Sequence, residues 1–279
     1  MRQALVSIFI ILIFRTSLLS NEIDSLFTNI SVNNFLYNKV DKKWKGINFF
    51  DTTTYDKKIN RYFKVDLDKN GLTDILIDGK YTLAILDKGK NKYLTSYIDK
   101  TFSKYKVDTI IIKNKIPLII IECNSAYCRS TSNKKDTIIY KFKSFIEYNS
   151  KPKKLSFESI KFSNSQALGM NAIFELSIYN SKNADYNAIN NNKSRFGKYN
   201  GIVSDSSFNE LVEILNYIDI DALKNEYSIF VYDCSKWKLE INYNGKKKVI
   251  SDYCQNSTFG LLRIYDQIYK IRQELEWNK

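Results

Sequence analysis

Residues 236–252 read KWKLEINY, NG and KKKVISD, and this stretch is the clearest indication of the fold. Two strand-like runs, Lys236–Tyr243 and Lys246–Asp252, flank the pair Asn244-Gly245. Asn-Gly readily takes the positive φ angles of a type I′ turn, which joins two antiparallel strands. The stretch therefore predicts a β-hairpin near the C-terminus.

Helices are predicted on both sides of this hairpin. One opens at 205–210, with Asp205 or Ser206 as N-cap, and its apolar residues follow at helical spacing: Leu211, Ile214, Leu215 and Ile218. The other runs from about Thr258 to Glu276 and turns six side chains toward the sheet: Leu261, Leu262, Tyr265, Ile268, Tyr269 and Ile271. Further strands are predicted at Ile173–Tyr179, Tyr186–Ile189 and Lys198–Val203. The C-terminal half is therefore predicted to be α+β.

The N-terminal half contains closely spaced apolar runs without helical patterns between them. The runs are Arg61–Val65, Asp74–Ile77, Tyr81–Leu86, Lys92–Ile98, Asp108–Ile112, Pro117–Glu122 and Thr137–Tyr148. Such a series indicates an antiparallel sheet, a sandwich or a partial barrel. The predicted fold class is a β-rich α+β protein, in which an antiparallel β domain precedes an α+β domain that ends in a hairpin and a helix.

Four segments are predicted along the chain. Residues 1–20 form a signal peptide, 21–43 a loosely ordered leader whose few apolar residues dock on the body, 44–150 a β-rich domain and 151–279 an α+β domain. The boundary is placed at Asn149–Lys154 because turn formers, charge and Pro152 occur together there.

Met1–Ser20 has the order of an export signal. A basic start precedes the apolar run Ala4–Phe14, which is shorter than the ~20 residues of a membrane-spanning helix. A cleaved signal is favoured over a buried N-terminal helix, although Leu18 and Arg15 fit cleavage after Ser20 imperfectly, so release and tethering both stay open. We expect an exported protein, whether periplasmic, cell-surface or secreted, with no transmembrane span in the mature chain.

The chain has 279 residues and a formal net charge of +13. That charge is compatible with a polyanionic partner such as a polysaccharide or a lipid surface. Nucleic acid is disfavoured because Lys greatly outnumbers Arg, whose guanidinium is the better base and phosphate ligand. The Lys, Asn, Ile and Tyr content is also typical of an AT-rich genome, which accounts for part of the charge.

The absence of His from the sequence excludes several kinds of site. Ser-His-Asp and Cys-His catalytic pairs need an imidazole, and so do His-containing zinc sites. Acid/base chemistry would fall to Asp, Glu, Lys, Tyr or Cys. A hydrolase acting through carboxylates would need a facing pair, for which the candidates are Asp51, Asp56, Glu122 and Glu175. These acids are more simply explained as solvated residues at strand edges, and no catalytic residue is assigned.

The motif with the most definite chemistry is the run Asp66–Asp74, which reads DLDKNGLTD. Asp66, Asp68, Asn70 and Asp74 place oxygen ligands at relative positions 1, 3, 5 and 9, and Leu72 would donate its backbone carbonyl. Gly71 at position 6 allows the tight bend. The loop is no EF-hand, because position 12 is Ile77 rather than Glu and a strand follows. It predicts a structural Ca²⁺ site of millimolar affinity, and the alternative is a turn in which the carboxylates cap backbone N–H groups without metal.

This loop resembles the calcium loops of FG-GAP and VCBS repeats, which occur in cell-surface β-propellers. The resemblance covers one unit, about Arg61 to Leu86, and implies a calcium-binding turn followed by a strand. One copy does not make a propeller.

Four Cys residues in an exported chain favour two disulfides over free buried thiols. Cys234 and Cys254 are nearly equidistant from Asn244-Gly245, so the hairpin would bring them together. Cys123 and Cys128 flank a short loop that a second bridge would close.

From Leu155 onward the order of features resembles a family of exported bacterial domains of unknown function. The matching features are the strand Phe174–Tyr179, Phe196-Gly197-Lys198-Tyr199, the helix Phe208–Leu215, Tyr232-Asp233, Asn244-Gly245-Lys246 and the last helix. The family's Cys-x-Gly-x-Cys-Pro turn is replaced here by Ala167–Ala172, where only Gly169 matches. The resemblance implies a fold and an exported location and no reaction.

Together these features predict a non-enzymatic extracytoplasmic binding or cell-envelope protein with a structural calcium site. Its partner would be a cell-surface polysaccharide or a protein. The alternative is a carboxylate-dependent hydrolase of an extracellular polymer.

Overall fold

The computed structural model describes residues 21–50, 61–123, 135–165, 173–190, 196–276 and 278. The chain separates into two compact units. The N-terminal unit comprises Met1–Asp99 and Lys104–Glu122, and the C-terminal unit comprises Lys100–Ser103 and Cys123–Lys279. The predicted signal peptide, Asp51, Asp56, Cys128 and the turn Ala167–Ala172 lie outside the described residues.

The N-terminal unit begins with a helical segment where the sequence predicted loose order. It contains a 3₁₀ turn at Glu22–Ser25, the helix α1 at Asn29–Phe35, a π turn at Leu36–Val40 and a 3₁₀ turn at Lys42–Trp44. Asn21 and Thr28 form capping boxes, which satisfy the first free N–H groups of the short helices. The apolar residues of this segment dock on the sheet, and Ile23, Val32 and Leu36 are fully buried there.

A four-stranded antiparallel meander forms the centre of the N-terminal unit. Its strands are β1 at Arg61–Val65, β2 at Asp74–Asp78, β3 at Thr82–Asp87 and β4 at Tyr93–Tyr97, in that spatial order. β2 and β3 are buried throughout, and the helical segment packs on one of their two faces, at Ile75, Ile77 and Ile85. Two further neighbouring strands follow, β5 at Tyr105–Lys113 and β6 at Ile116–Cys123.

The C-terminal unit is built on a seven-stranded sheet. Its spatial order is β12-β11-β10-β9-β14-β15-β13. The strands are β9 at Phe157–Asn164, β10 at Ile173–Tyr179, β11 at Asn183–Asn190, β12 at Gly197–Ile202, β13 at Glu226–Tyr227, β14 at Lys236–Tyr243 and β15 at Lys246–Tyr253. All neighbours pair antiparallel except β13 and β15, which are parallel. The hairpin β7–β8, at Lys135–Lys141 and Ser144–Glu147, precedes this sheet.

Two helices cover one face of the seven-stranded sheet, α2 at Asp205–Tyr217 and α3 at Phe259–Glu274. Their apolar faces join the sheet in one core that includes Leu211, Ile214, Ile264 and Ile268. The protein is therefore a β-rich α+β fold, as the sequence predicted. Among the described residues, no helix has the length and apolar character needed to cross a membrane.

Some of the local predictions are confirmed and others are wrong. The hairpin β14–β15 turns at Asn244 and Gly245, whose φ angles are 50° and 66°. Thr258 is the N-cap of α3, but the N-cap of α2 is Ser204 rather than Asp205 or Ser206, because the Ser204 hydroxyl accepts from Ser207 N. The predicted strand Thr137–Tyr148 is two strands, since Phe142 and Lys143 adopt positive φ and form a turn.

The units divide at residues 122 and 123, and the predicted linker Asn149–Lys154 lies inside the C-terminal unit. This segment is held to the end of α2. Asn149 N donates to Tyr217 Oη at 2.9 Å, and Lys153 N donates to Asn216 O at 3.1 Å. The segment Asn149–Lys154 has the composition of a turn, but its hydrogen bonds to the end of α2 make it a fixed connection within the C-terminal unit.

Candidate metal centre

The loop Asp66–Asp74 connects β1 to β2, and the strand register pairs Val65 with Asp74 at its base. Lys69 and Gly71 have φ angles of 60° and 83°, so the backbone turns through the left-handed region twice. Glycine adopts this region without steric cost, as the sequence motif required. The loop therefore folds back on itself and turns its acidic side chains inward.

Three carboxylates meet in this loop. Asp66, Asp68 and Asp74 each offer an oxygen, and these oxygens lie within 4.8 Å of one another. Asp74 is fully buried, and the other two are half-buried. The structure thus brings together the three carboxylates that the sequence assigned to a cation site.

Asp74 anchors the cluster to the sheet. Its Oδ2 accepts from Leu67 N at 2.7 Å and Asp68 N at 3.4 Å, and its Oδ1 accepts from Asp87 N at 2.8 Å. Burial, with a smaller contribution from the charge of Asp68, raises the pKa of Asp74 to about 7 despite these donors. A cation at this point would remove the cost of the buried charge.

Asp66 and Asp68 bind the turn itself. Asp66 accepts from Asn70 N at 3.1 Å and from Gly71 N at 2.9 Å, and Asp68 Oδ1 accepts from Asn70 N at 3.2 Å. The remaining oxygen of Asp68 forms an ion pair with Lys88, which follows β3. An ammonium group therefore already neutralises part of the cluster.

The two other predicted ligands are placed differently. Asn70 Oδ1 accepts from Leu72 N at 2.8 Å, and its Nδ2 donates to Asp87 O at 2.5 Å. The Asn70 amide is thus used in closing the turn, and Leu72 contributes its N–H to the same contact. The geometry contains elements of both interpretations of the loop, a carboxylate cage and a hydrogen-bonded turn.

The acids named for a hydrolase have simpler roles where the structure describes them. Glu122 forms an ion pair with Lys106 at 2.9 Å, and Glu175 forms one with Lys161 at 3.4 Å on the neighbouring strand β9. Both contacts pair a carboxylate with an ammonium group, although Glu175 also lines a surface cavity together with Asp185 of β11. They are cross-strand ion pairs of the kind common on sheet surfaces.

Cys234 and Cys254 are joined by a disulfide, with an S–S distance of 2.03 Å and a Cα–Cα distance of 5.2 Å. The bridge closes the open end of the β14–β15 hairpin, which is the pairing that the sequence suggested. Cys123 is also disulfide-bonded. Its predicted partner Cys128 lies outside the described residues, so that pairing stays a prediction.

Sequence reasoning missed a buried polar cluster in the C-terminal unit. Asp252, Ser257 and Tyr265 are at most 1% exposed, and their side-chain oxygens Asp252 Oδ2, Ser257 Oγ and Tyr265 Oη make no hydrogen bond of regular geometry with a described residue. The three groups still influence each other electrostatically. Burial raises the pKa of Asp252 and lifts that of Tyr265 well above its ordinary value.

A lysine and a glutamate complete the surroundings of that cluster. Lys100 Nζ donates to Ser257 O at 2.6 Å and lies 4.1 Å from the Phe259 ring centroid, and burial lowers its pKa. Glu147 accepts from Phe259 N at 2.6 Å and Gly260 N at 2.7 Å, so it caps α3. These contacts join residues more than a hundred positions apart, which no local motif reveals.

The comparison with known proteins concerns the C-terminal unit. No curated protein matches the chain. A family resemblance is expected from Leu155 onward, and a family model matches the chain from residue 158. The loop Asp66–Asp74 lies outside the matched region. Residues 158–272, from β9 into α3, match the family described as Domain of unknown function (DUF6438).

Proposed function

We propose that this protein is a non-enzymatic binding or cell-envelope protein that acts outside the cytoplasm and carries a structural calcium site at Asp66, Asp68 and Asp74. The observation that carries the proposal is the meeting of three carboxylates, with oxygens within 4.8 Å of one another, in the turn between β1 and β2. Like charges this close repel unless a cation or protons neutralise them. Ca²⁺ takes oxygen ligands of this type from short flexible loops.

The proposed role is structural because every acid of the cluster also binds backbone. Asp74 links the loop to Asp87 at the end of β3, and Asp66 fixes the bend at Gly71. A bound ion would tie both contacts to one centre and rigidify the hairpin. Lys88 competes for Asp68, so calcium binding would displace its ammonium group.

The exported location is supported by the cysteines and by the export-type N-terminus. Cys234–Cys254 is a disulfide, and such bridges persist mainly in oxidising compartments. Extracytoplasmic calcium is abundant enough for a loop in the ~10⁻⁴ to 10⁻³ M affinity class. The disulfide and a calcium loop of this affinity class are therefore both compatible with a location outside the cytoplasm.

Thermal unfolding with and without calcium tests the site. For a dissociation constant near ~1 mM, about 10 mM CaCl₂ stabilises the folded state by about 1.4 kcal/mol, measured against an EDTA reference. This corresponds to a rise in Tm of roughly 3 to 6 °C. The charge-removing double variant Asp66→Asn with Asp68→Asn keeps acceptor oxygens and is expected to lose the rise.

Asp99→Asn is the matched control. Asp99 accepts from Thr82 N at 3.1 Å and Tyr105 N at 2.8 Å, and burial raises its pKa, but it lies outside the cluster. This variant is expected to unfold at a lower temperature and to keep the calcium-dependent rise. No rise in the unchanged protein, or an equal rise in the Asp66/Asp68 variant, would refute the proposal.

A further inference from the structure

The loop 228–235 between β13 and β14 presents an unusual surface. It contains the consecutive apolar residues Ile229-Phe230-Val231-Tyr232. Phe230 is 85% exposed and Tyr232 is 79% exposed. Apolar runs of this kind are normally buried in a strand, and an exposed one generally has a function.

The local backbone accounts for this exposure. Val231 N donates to Ile229 O at 3.0 Å, which is the hydrogen bond of a γ-turn with Phe230 at its apex. Ile229 and Val231 are half-buried, so the apolar run is anchored by alternate residues. The other two rings project together, with centroids 5.6 Å apart and an interplanar angle of 67°.

Both ends of the loop are fixed to the same strand. β13 pairs with Ser251 and Asp252 of β15, and Cys234 is bonded to Cys254 just beyond β15. Cys234 N also donates to Tyr253 Oη at 3.2 Å. A loop held in this way loses little conformational entropy when its tip binds a partner.

We propose that this loop docks the protein on an anionic phospholipid surface. Aromatic side chains on projecting loops insert at the boundary between lipid headgroups and acyl chains, where Tyr keeps its hydroxyl in water. The edge-to-face arrangement of the two rings offers no single flat platform for a sugar. Phe230 and Tyr232 are both largely exposed, so both rings can enter a soft interface.

Charge favours an anionic surface over a neutral one. Lys236 and Lys238 are exposed on β14, directly after the loop, and Lys236 forms no ion pair with a described residue. Two exposed acids lie nearby, Asp233 in the loop and Glu226 in β13, and Lys224 is a third exposed base just before β13. The whole chain carries +13, so the long-range field attracts anionic headgroups while the rings supply the local contact.

Vesicle co-sedimentation in EDTA tests the proposal apart from the calcium site, on which it does not depend. The full chain is expected to sediment with vesicles in which about one third of the lipid is phosphatidylglycerol, and much less with phosphatidylcholine alone. Phe230→Ser with Tyr232→Ser is expected to weaken binding at least about tenfold. Phe196→Ser is the control, because Phe196 is 61% exposed in the same unit but outside the loop, and it is expected to bind normally.

A fluorescence measurement locates the contact. Phe230→Trp is expected to bind like the unchanged chain, and its Trp emission is expected to shift to shorter wavelength with the anionic vesicles. Equal binding by the double variant would show that lysines alone attract the lipid and would overturn the proposal. Absence of vesicle binding would also overturn it, and capture of a protein by Phe230 and Tyr232 in that case would assign the loop to a protein partner.

Discussion

The loops at 66–74 and 228–235 are both held rigid, but by different chemistry. In the first, carboxylates accept from the backbone N–H groups of Leu67, Asn70 and Gly71. In the second, a covalent bridge from Cys234 to Cys254 fixes the base, and the side chains at the tip remain exposed. The first loop directs its functional groups inward, whereas the second directs them outward.

This difference teaches which conditions control each loop. A turn built on buried carboxylates depends on their charge, and therefore on pH and on cations. A disulfide-bridged turn depends on the redox state and hardly on pH. The two loops should therefore respond to separate perturbations, the first to pH and cations and the second to reductant.

The largest effect is expected for Asp74→Ala. The change leaves Leu67 N and Asp87 N without their acceptor, and buried unsatisfied N–H groups cost about 4 kcal/mol together. Urea unfolding measures the loss. Asp74→Asn keeps one acceptor oxygen and is expected to lose less. A loss below about 1 kcal/mol for Asp74→Ala would mean that the carboxylate does not hold the loop.

Removal of the bridge by Cys234→Ser with Cys254→Ser is expected to lower the free energy of unfolding by about 3 kcal/mol. This is the loop entropy that a bridge between residues 20 positions apart removes from the unfolded chain. The same variant should retain its calcium response, since the bridge lies in the other unit. Unfolding in urea, with and without reductant, measures both. Loss of the calcium response in this variant would show that the two loops do not respond independently.

The pH dependence of Asp74 has a definite sign. Its folded pKa of about 7 lies above the ordinary value of 3.8, so the folded state holds the extra proton between these values. The resulting stabilisation is complete below pH ~4 and is lost as pH rises through ~7. In EDTA, the unchanged chain is expected to lose about 2 kcal/mol relative to Asp74→Asn between pH 5 and pH 7. A gain in the stability of the unchanged chain relative to Asp74→Asn over this pH range would show that burial does not raise the pKa of Asp74.

The smallest effect is expected for Lys88→Met. Without calcium the loss is about 0.5 kcal/mol, because the ion pair is partly exposed. Calcium affinity should rise about threefold to tenfold, since Asp68 is freed from its ammonium partner. Lys104→Met removes the ion-pair partner of Asp99 and is the control, whose calcium affinity is expected to stay unchanged. Isothermal titration calorimetry measures the calcium affinity of the unchanged chain and of both variants. Equal affinities for all three chains would contradict a competition between Lys88 and calcium for Asp68.

Sequence alone predicted the features whose causes are close together in the chain. Asn244-Gly245 defines its own turn, and Thr258 caps α3 through Leu261 N, three residues later. The cluster at Asp66, Asp68 and Asp74 was equally local, because a tight turn brings residues within one short loop into contact. Physical rules for turns and caps act over a few residues, but they did not distinguish Ser204 from Asp205 or Ser206 as the N-cap of α2.

The parts that sequence did not reveal depend on distant contacts. β9 was not predicted, although it lies in the middle of the seven-stranded sheet between β10 and β14. Lys88, the ion-pair partner of Asp68, is 20 residues away in sequence. Glu147 caps a helix 112 residues later, and such a partner is set by tertiary packing. The same holds for the buried oxygens of Asp252, Ser257 and Tyr265.

The most direct test of the proposed calcium site is a crystal structure of the full chain grown in millimolar CaCl₂, with anomalous scattering to identify the ion. The account predicts one ion bonded to carboxylate oxygens of Asp66, Asp68 and Asp74 at about 2.3 to 2.6 Å, with Lys88 Nζ displaced from Asp68. A loop without an ion, in which Lys88 still pairs with Asp68, would contradict it and leave a hydrogen-bonded turn.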